Sequence, residues 1–205
     1  MLALRITSTA LFAGVLLFAP AAAQTSISGA PQPPSTGPGS LRPASEASFE
    51  NGHFRESDIG FDVPANWKYE GTRQAVIATD ETAGFTDPQT GLTVYAWLSR
   101  QTADAADIPL LLERVVANKA RQREREGYRQ WHARPDSVQQ SSINGHAAVS
   151  AIADFESRSG TPRVECLTWI YAPERRVQFF AVMSPDQFAA FQPQFDRMAR
   201  SATLP

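Results

Sequence analysis

Ile59, Phe61 and Val63 alternate with Gly60 and Asp62, a period of two that predicts a half-buried strand, stopped by Pro64-Ala65-Asn66. Two further strand-like runs follow at 74–79 and 92–99. Between them Asp87-Pro88-Gln89-Thr90-Gly91 has turn chemistry, proline fixing φ and glycine accepting a positive one, so the two runs are expected to form a hairpin. In the second run Leu92, Val94, Ala96 and Leu98 share one face, and Thr93, Tyr95, Trp97 and Ser99 share the other.

The period then changes to that of a helix. Ile108, Leu111, Leu112, Val115 and Val116 form an apolar stripe, with Asp107 placed to cap it, Pro109 in the first turn and Gly127 to end it. Past Val116 the stripe lapses into Lys119, Arg121, Gln122, Arg123, Glu124, Arg125 and Glu126, so the last turns are expected in solvent on most sides. Strands return at 128–133 and 138–142, the second turning at Asn144-Gly145, a strong hairpin dipeptide. A meander is expected over 147–155, 163–171 and 177–184, and Ser184, Pro185 and Gln187 then open a helix as cap, first-turn proline and reciprocal cap partner. Phe188, Phe191, Phe195 and Met198 give that helix one buried face, and Pro193 inside it is expected to kink it. Blocks of strands and helices in this order predict an α+β sandwich, an antiparallel sheet covered by helices.

The residues also resemble a known superfamily. Phe61-Asp62-Val63-Pro64-Ala65-Asn66-Trp67 is similar to the "apolar-x-apolar-Pro-x-x-Trp" opening of the PsbP-like proteins, and Ile143-Asn144-Gly145-His146-Ala147 to the hairpin that they place before paired long strands. The ending, an aromatic strand, Ser-Pro and a helix with spaced phenylalanines, resembles theirs as well, so that the likeness spans about residues 54–204. It implies a PsbP-like α/β sandwich. The superfamily includes extrinsic photosystem subunits, a factor that binds the Ran GTPase, DcrB-type bacterial envelope proteins and secretion chaperones. Binding to other proteins without chemistry is their common thread, and they offer no catalytic motif to transfer.

The front of the chain has a different pattern. Arg5 precedes an apolar run from Ala10 to Ala19, Pro20 ends it, and Ala21-Ala22-Ala23 offers small side chains to a signal peptidase. The run is about half the roughly 20 residues that a membrane-spanning helix needs. Residues 1–23 are therefore expected to be a signal peptide cut before Gln24, taking the general export route to the periplasm. No Arg-Arg pair precedes the run and no cysteine follows the cut, which removes the twin-arginine and lipoprotein variants. No stable membrane insertion is expected after cleavage. Residues 24–48, with Pro31, Pro33, Pro34, Pro38 and Pro43 among glycines and serines, read as a disordered linker before a single domain at 49–205.

Cleavage removes one Arg and no acid and moves the net charge from −2 to −3, which argues against nucleic acid and anionic membrane as partners. The one cysteine, Cys166, forbids an intrachain disulfide and is expected as a small buried hydrophobe, with Val164, Thr168 and Ile170 on the same core face. His53, His132 and His146 are scattered, and zinc wants three or four nitrogen or sulfur ligands, so no metal site and no cofactor is expected. Asp80, Glu81 and Asp87 around the first loop fit no calcium-loop pattern. No Gly-x-Ser-x-Gly elbow is present and no catalytic residue is assigned.

What remains is aromatic. Trp67, Tyr95, Trp97, Trp131 and His132 are the candidate binding residues, because the core face of one sheet does not account for them all. These residues, the export signal and the resemblance lead to an exported non-catalytic protein-binding or accessory domain of the bacterial envelope, with an envelope protein as partner. The competing expectation is a small periplasmic hydrolase or ligand-binding protein, with Trp131 and His132 walling a pocket between sheet and helix.

Overall fold

The computed structural model describes residues 47–74, 80–100 and 106–205. The expected signal peptide, residues 24–46 of the expected linker and residues 75–79 of the first hairpin strand lie outside them.

Among the described residues, eleven strands and two α-helices follow in chain order: β1 (Ser48–Glu50), β2 (His53–Glu56), β3 (Ile59–Asp62), β4 (Lys68–Gln74), β5 (Asp80–Thr86), β6 (Thr93–Ser99), α1 (Ile108–Arg125), β7 (Arg129–Ala133), β8 (Gln139–Ile143), β9 (His146–Glu156), β10 (Pro162–Tyr171), β11 (Arg176–Met183) and α2 (Pro185–Arg200). A short 3₁₀ turn, Pro135–Ser137, links β7 to β8. β1, β2 and β3 form a three-stranded sheet, and the rest an eight-stranded sheet in the order β4-β5-β6-β11-β10-β9-β7, with β8 also paired to β9. Every pairing is antiparallel. The expected antiparallel sheet covered by helices is the architecture found.

Each face of the large sheet has its own core. On one, Val94, Ala96, Leu98, Val164, Cys166, Ile170, Val177 and Phe179 meet the small sheet and the buried face of α2, Phe191, Phe195 and Met198. Phe61 of β3 lies edge-on to both Phe85 (5.4 Å between ring centroids) and Phe179 (5.0 Å). Each such buried ring contributes about 1.5–3 kcal/mol of transfer energy, and each edge-to-face pair about 0.5–1.5 kcal/mol more. On the other face Ile108, Leu112 and Val115 of α1 cover Val149, Ala151, Leu167, Trp169 and Tyr171. Cys166 is buried with Val164 and Ile170, as its strand pattern predicts.

Several expectations are corrected. The turn 87–91 joins β5, not residues 74–79, to β6, so the region is a three-stranded meander. β5 escapes the pattern because Asp-Glu-Thr-Ala-Gly-Phe-Thr has one large apolar residue in seven positions. Asp80 and Asp87 stand at opposite ends of that strand region. Asp87 accepts from the Gln89 amide and the Thr90 hydroxyl to hold the turn, and Asp80 is fully buried beside Trp97. Asp107 precedes α1 but makes no side-chain cap bond. Gly127 does end the helix, at φ +84°. α2 is continuous from Pro185 to Arg200 with Pro193 inside it, and the Ser184 amide donates to Gln187 Oε1 at 3.2 Å, completing the expected capping box.

Candidate functional site

α1 covers only the β9–β10 half of its sheet face. Beyond it, among the described residues, the same face of β6 and β11 is exposed at Tyr95 and Val182, while Ser99 and Gln178 on it are buried. Strand alternation puts Tyr95, Trp97, Phe180 and Val182 there, because their neighbours Val94, Ala96, Phe179 and Ala181 fill the opposite core. Tyr95 is 42 % exposed and Val182 38 %, and Leu111 and Leu110 on α1 are exposed as well. Tyr95 faces Phe180 across the β6–β11 ladder and stacks on it, with centroids 5.2 Å apart at 23°. Trp97 is half-buried; its Nε1 donates to Asp80 Oδ2 at 3.0 Å, and the Arg176 guanidinium lies 5.9 Å from its ring. These contacts set Tyr95 against Phe180 and Trp97 against Asp80 and Arg176.

A buried charge network holds the end of α1 against the sheet beside it. Glu165 of β10 has no exposed surface. It accepts from Trp131 Nε1 (2.8 Å) and from Arg123 through Nε (3.1 Å) and Nη2, and Lys119 Nζ is 3.7 Å away. Arg123 also bonds Glu126 at 2.6 Å, so two cations meet two carboxylates. Burial pushes the Lys119 ammonium pKa below its ordinary value, against the opposing pull of Glu165. Arg123 is held above its ordinary range by its bonds to Glu165 and Glu126, which outweigh desolvation. Lys119 sits 5.2 Å from the Phe180 ring and so joins this network to the open face. The expected solvation holds for Arg121, Glu124 and Arg125, which are exposed, and is corrected for Lys119, only 6 % exposed, and Arg123, 11 %.

The predicted binding residues separate. Tyr95 and Trp97 share the open face. Trp131 is close by but half-buried, its polar edge committed to Glu165. Trp67 belongs to the other side: it is 4 % exposed and stacks on Phe191 of α2 at 5.8 Å, which withdraws it from any surface. His132 is exposed, not in an apolar setting; its Nδ1 is 2.8 Å from the Gln130 carbonyl oxygen. Gln130, at φ +54°, sits in a register shift on the edge strand β7, and strand alternation turns Trp131 and His132 to opposite sides. They do not wall one pocket.

Depressions lie on both sides of the sheet, among them one of about 300 Å³ over β4 and β5 that reaches Tyr95. A cleft of about 270 Å³ runs where α1 meets the open face, between Val115 and Lys119 on one side and Trp97 and Gln178 on the other. A wider trough of about 390 Å³ lies on the α2 side, lined by Ser141, Ser150, Thr168, Gln192 and Asp196. Ser150 and Thr168 hydrogen-bond each other at 3.0 Å, and partial burial raises the Asp196 carboxyl pKa, with Arg200 opposing. The histidines sit on three different strands, with His53 on Asp62 and His146 on the Leu204 carbonyl. Among the described residues no group of three or more His, Cys, Asp or Glu is placed to hold a metal ion.

No family model matches the chain, and no curated protein does. Solved structures do. The chain is similar to the cyanobacterial PsbP protein, CyanoP, of Synechocystis, with TM-score 0.56 and 13 % identity over 82 % of this chain and 98 % of that one. The fold is PsbP-like. It is also similar to LpqN of Mycobacterium tuberculosis, described as involved in cell envelope biogenesis, with TM-score 0.54 and 17 % identity over 72 % of this chain and 83 % of that one. At such identities the PsbP-like likeness concerns the fold, and function rests on the site.

Phe180, Val182, Glu165 and Gln178 are absent from the predicted set. Glu165 left a signal, a lone acid within the apolar strand Val164–Ile170, with a tryptophan and the rare lysine elsewhere to meet it. Phe180 and Val182 follow from alternation alone once Phe179 is known to be core.

Proposed function

We propose that this chain is an exported, non-catalytic accessory domain of the bacterial cell envelope that binds a protein partner through the open sheet face around Tyr95, Trp97, Phe180 and Val182. The observation that carries the proposal is the exposure of Tyr95 and Val182 on a face whose other half α1 covers. Contiguous apolar surface rimmed by charge is what interfaces use, and fixed aromatic side chains are their strongest anchors. The signal-like start of the chain and a PsbP-like fold shared with a protein of envelope biogenesis support the envelope as its setting. The pocket reading built on Trp131 and His132 loses its motive, since the two diverge. No described helix is long and apolar enough to cross a membrane.

Photo-crosslinking in cells tests this. A photoreactive phenylalanine analogue replaces Tyr95 in one strain and Ala190, on the exposed side of α2, in another. A discrete heavier adduct from position 95 and none from 190 is expected. The same adducts from both positions, or none from 95, would remove the proposal.

A further inference from the structure

The seam cleft has chemistry that a plain apolar docking face does not need. Its walls are Trp97, Trp169 and Tyr171, and its rim carries Arg125 and Arg176. No carboxylate lines it among the described residues. Lys119 also faces it, but Glu165 answers that charge. Neither Arg125 nor Arg176 makes an ion pair among the described residues; Arg176 lies over the Trp97 ring, 5.9 Å from its centroid. Between them, on the cleft wall, Gln178 is 7 % exposed, and its Nε2 has no hydrogen-bond partner among the described residues. A buried amide donor left unmade costs about 1–3 kcal/mol. It is an open position for an acceptor.

Two guanidiniums without an ion pair among the described residues, a buried donor and aromatic walls ask for an acceptor-rich anion attached to an apolar group. Guanidinium groups favour carboxylates, which they grip through paired N–H bonds. The volume decides how large the guest is: about 270 Å³ falls just under the roughly 300 Å³ at which sites for drug-sized molecules begin. One amino-acid residue fits. A carboxylate beside an apolar side chain within that space is the chemistry of a polypeptide's C-terminus, and capture of a chain end is a known mode of peptide recognition. We propose that this cleft receives the C-terminal carboxylate of the partner protein, the carboxylate against Arg125, Arg176 and Gln178 and the last side chain between Trp97 and Trp169. This rests on the protein-binding reading above and gives that partner its chemistry.

The probes are N-acetyl-L-phenylalanine, its C-terminal amide, and N-acetyl-L-aspartic acid amide, which carries a carboxylate on a side chain. Each is titrated into the full mature protein while the indole N–H resonances of Trp97 and Trp169 are followed. The acid is expected to bind about tenfold more tightly than either amide, a difference of about 1.4 kcal/mol. Arg125→Gln and Arg176→Gln, with unchanged melting temperatures, should each bring the acid toward the amide's affinity, and Gln178→Met should weaken it severalfold. Equal binding of acid and amide, or shifts that leave both indoles unmoved, overturns the proposal. If position 95 crosslinks a partner while the acid shows no preference, only the chain-end inference fails. If the acid binds selectively and no partner crosslinks, the cleft stands and the protein-binding reading fails.

Discussion

Glu165 has no solvent contact, yet it receives an indole N–H, a guanidinium and a nearby ammonium. Replacing it with Ala would leave Lys119 buried without its carboxylate and Arg123 with Glu126 alone. Breaking a buried pair in this way costs about 3–5 kcal/mol, and urea unfolding of Glu165→Ala should show a loss of that size; a loss under about 1 kcal/mol would mean that water already serves those groups. Two aspartates respond to pH in opposite senses. The Arg134 hydrogen bonds hold Asp154 below its ordinary value, so its contribution to stability is present above the unfolded pKa and is lost as pH falls through the folded one. Burial raises Asp196, so the folded chain binds that proton more tightly than the unfolded chain does, and the associated stability is lost as pH rises through the folded value. Asp196→Asn should therefore melt higher than wild type at pH 7, and the two should converge below the ordinary carboxyl value of 3.8. A variant that melts lower at pH 7 would show that the Arg200 attraction outweighs burial. Burial likewise pushes the Cys166 thiol up to about 12, so it should ignore iodoacetamide at pH 8 until the chain is unfolded.

Among the elements, the two tight hairpins separate conformational strain from contact. Gly52 in the β1–β2 turn and Gly145 in the β8–β9 turn both have positive φ, +79° and +88°. A Cβ at 145 would meet nothing within 4 Å, whereas one at 52 would come 2.8 Å from the Val63 carbonyl oxygen. Gly145→Ala should cost about 1–2 kcal/mol, the left-handed penalty, and Gly52→Ala clearly more; equal losses would mean that the β2–β3 region yields to the added methyl. These hairpins also show what the pattern of residues could convey. Asn144-Gly145 and the long alternations of β9, β10 and β11 were legible because each strand repeats its signal many times. β1 and β2 were not, since three or four residues such as His-Phe-Arg-Glu hold too few periods. The docking of the α1 end was hidden for another reason. Lys119 and Arg123 look like solvated cations until Glu165, 42 residues beyond Arg123, is brought beneath them. The split of the aromatics was half legible: alternation assigned Tyr95 and Trp97 to one face, but only the position of α2 decided that Trp67 is core and only the register shift in β7 exposed His132.

At the scale of the whole molecule, a sheet packed on one face by the small sheet and α2 and on the other by α1 over β9 and β10 leaves, among the described residues, a contact surface around Tyr95 and Val182. The PsbP-like architecture supplies the rigid strands, and the residues of β6 and β11 supply the surface. If residues 1–23 are removed on export as proposed, protein purified from the envelope should have Gln24 as its first residue by intact mass; material retaining Met1 would contradict the exported setting. The surface itself is tested most directly by comparing what the mature wild-type protein and a Tyr95→Ser/Val182→Ser variant retain from the same envelope extract, with melting temperatures matched. The partner crosslinked from position 95 should be retained by wild type and reduced at least about tenfold in the variant, the loss that removing central anchors of an interface brings. Equal retention of that partner by both proteins would contradict the proposed surface.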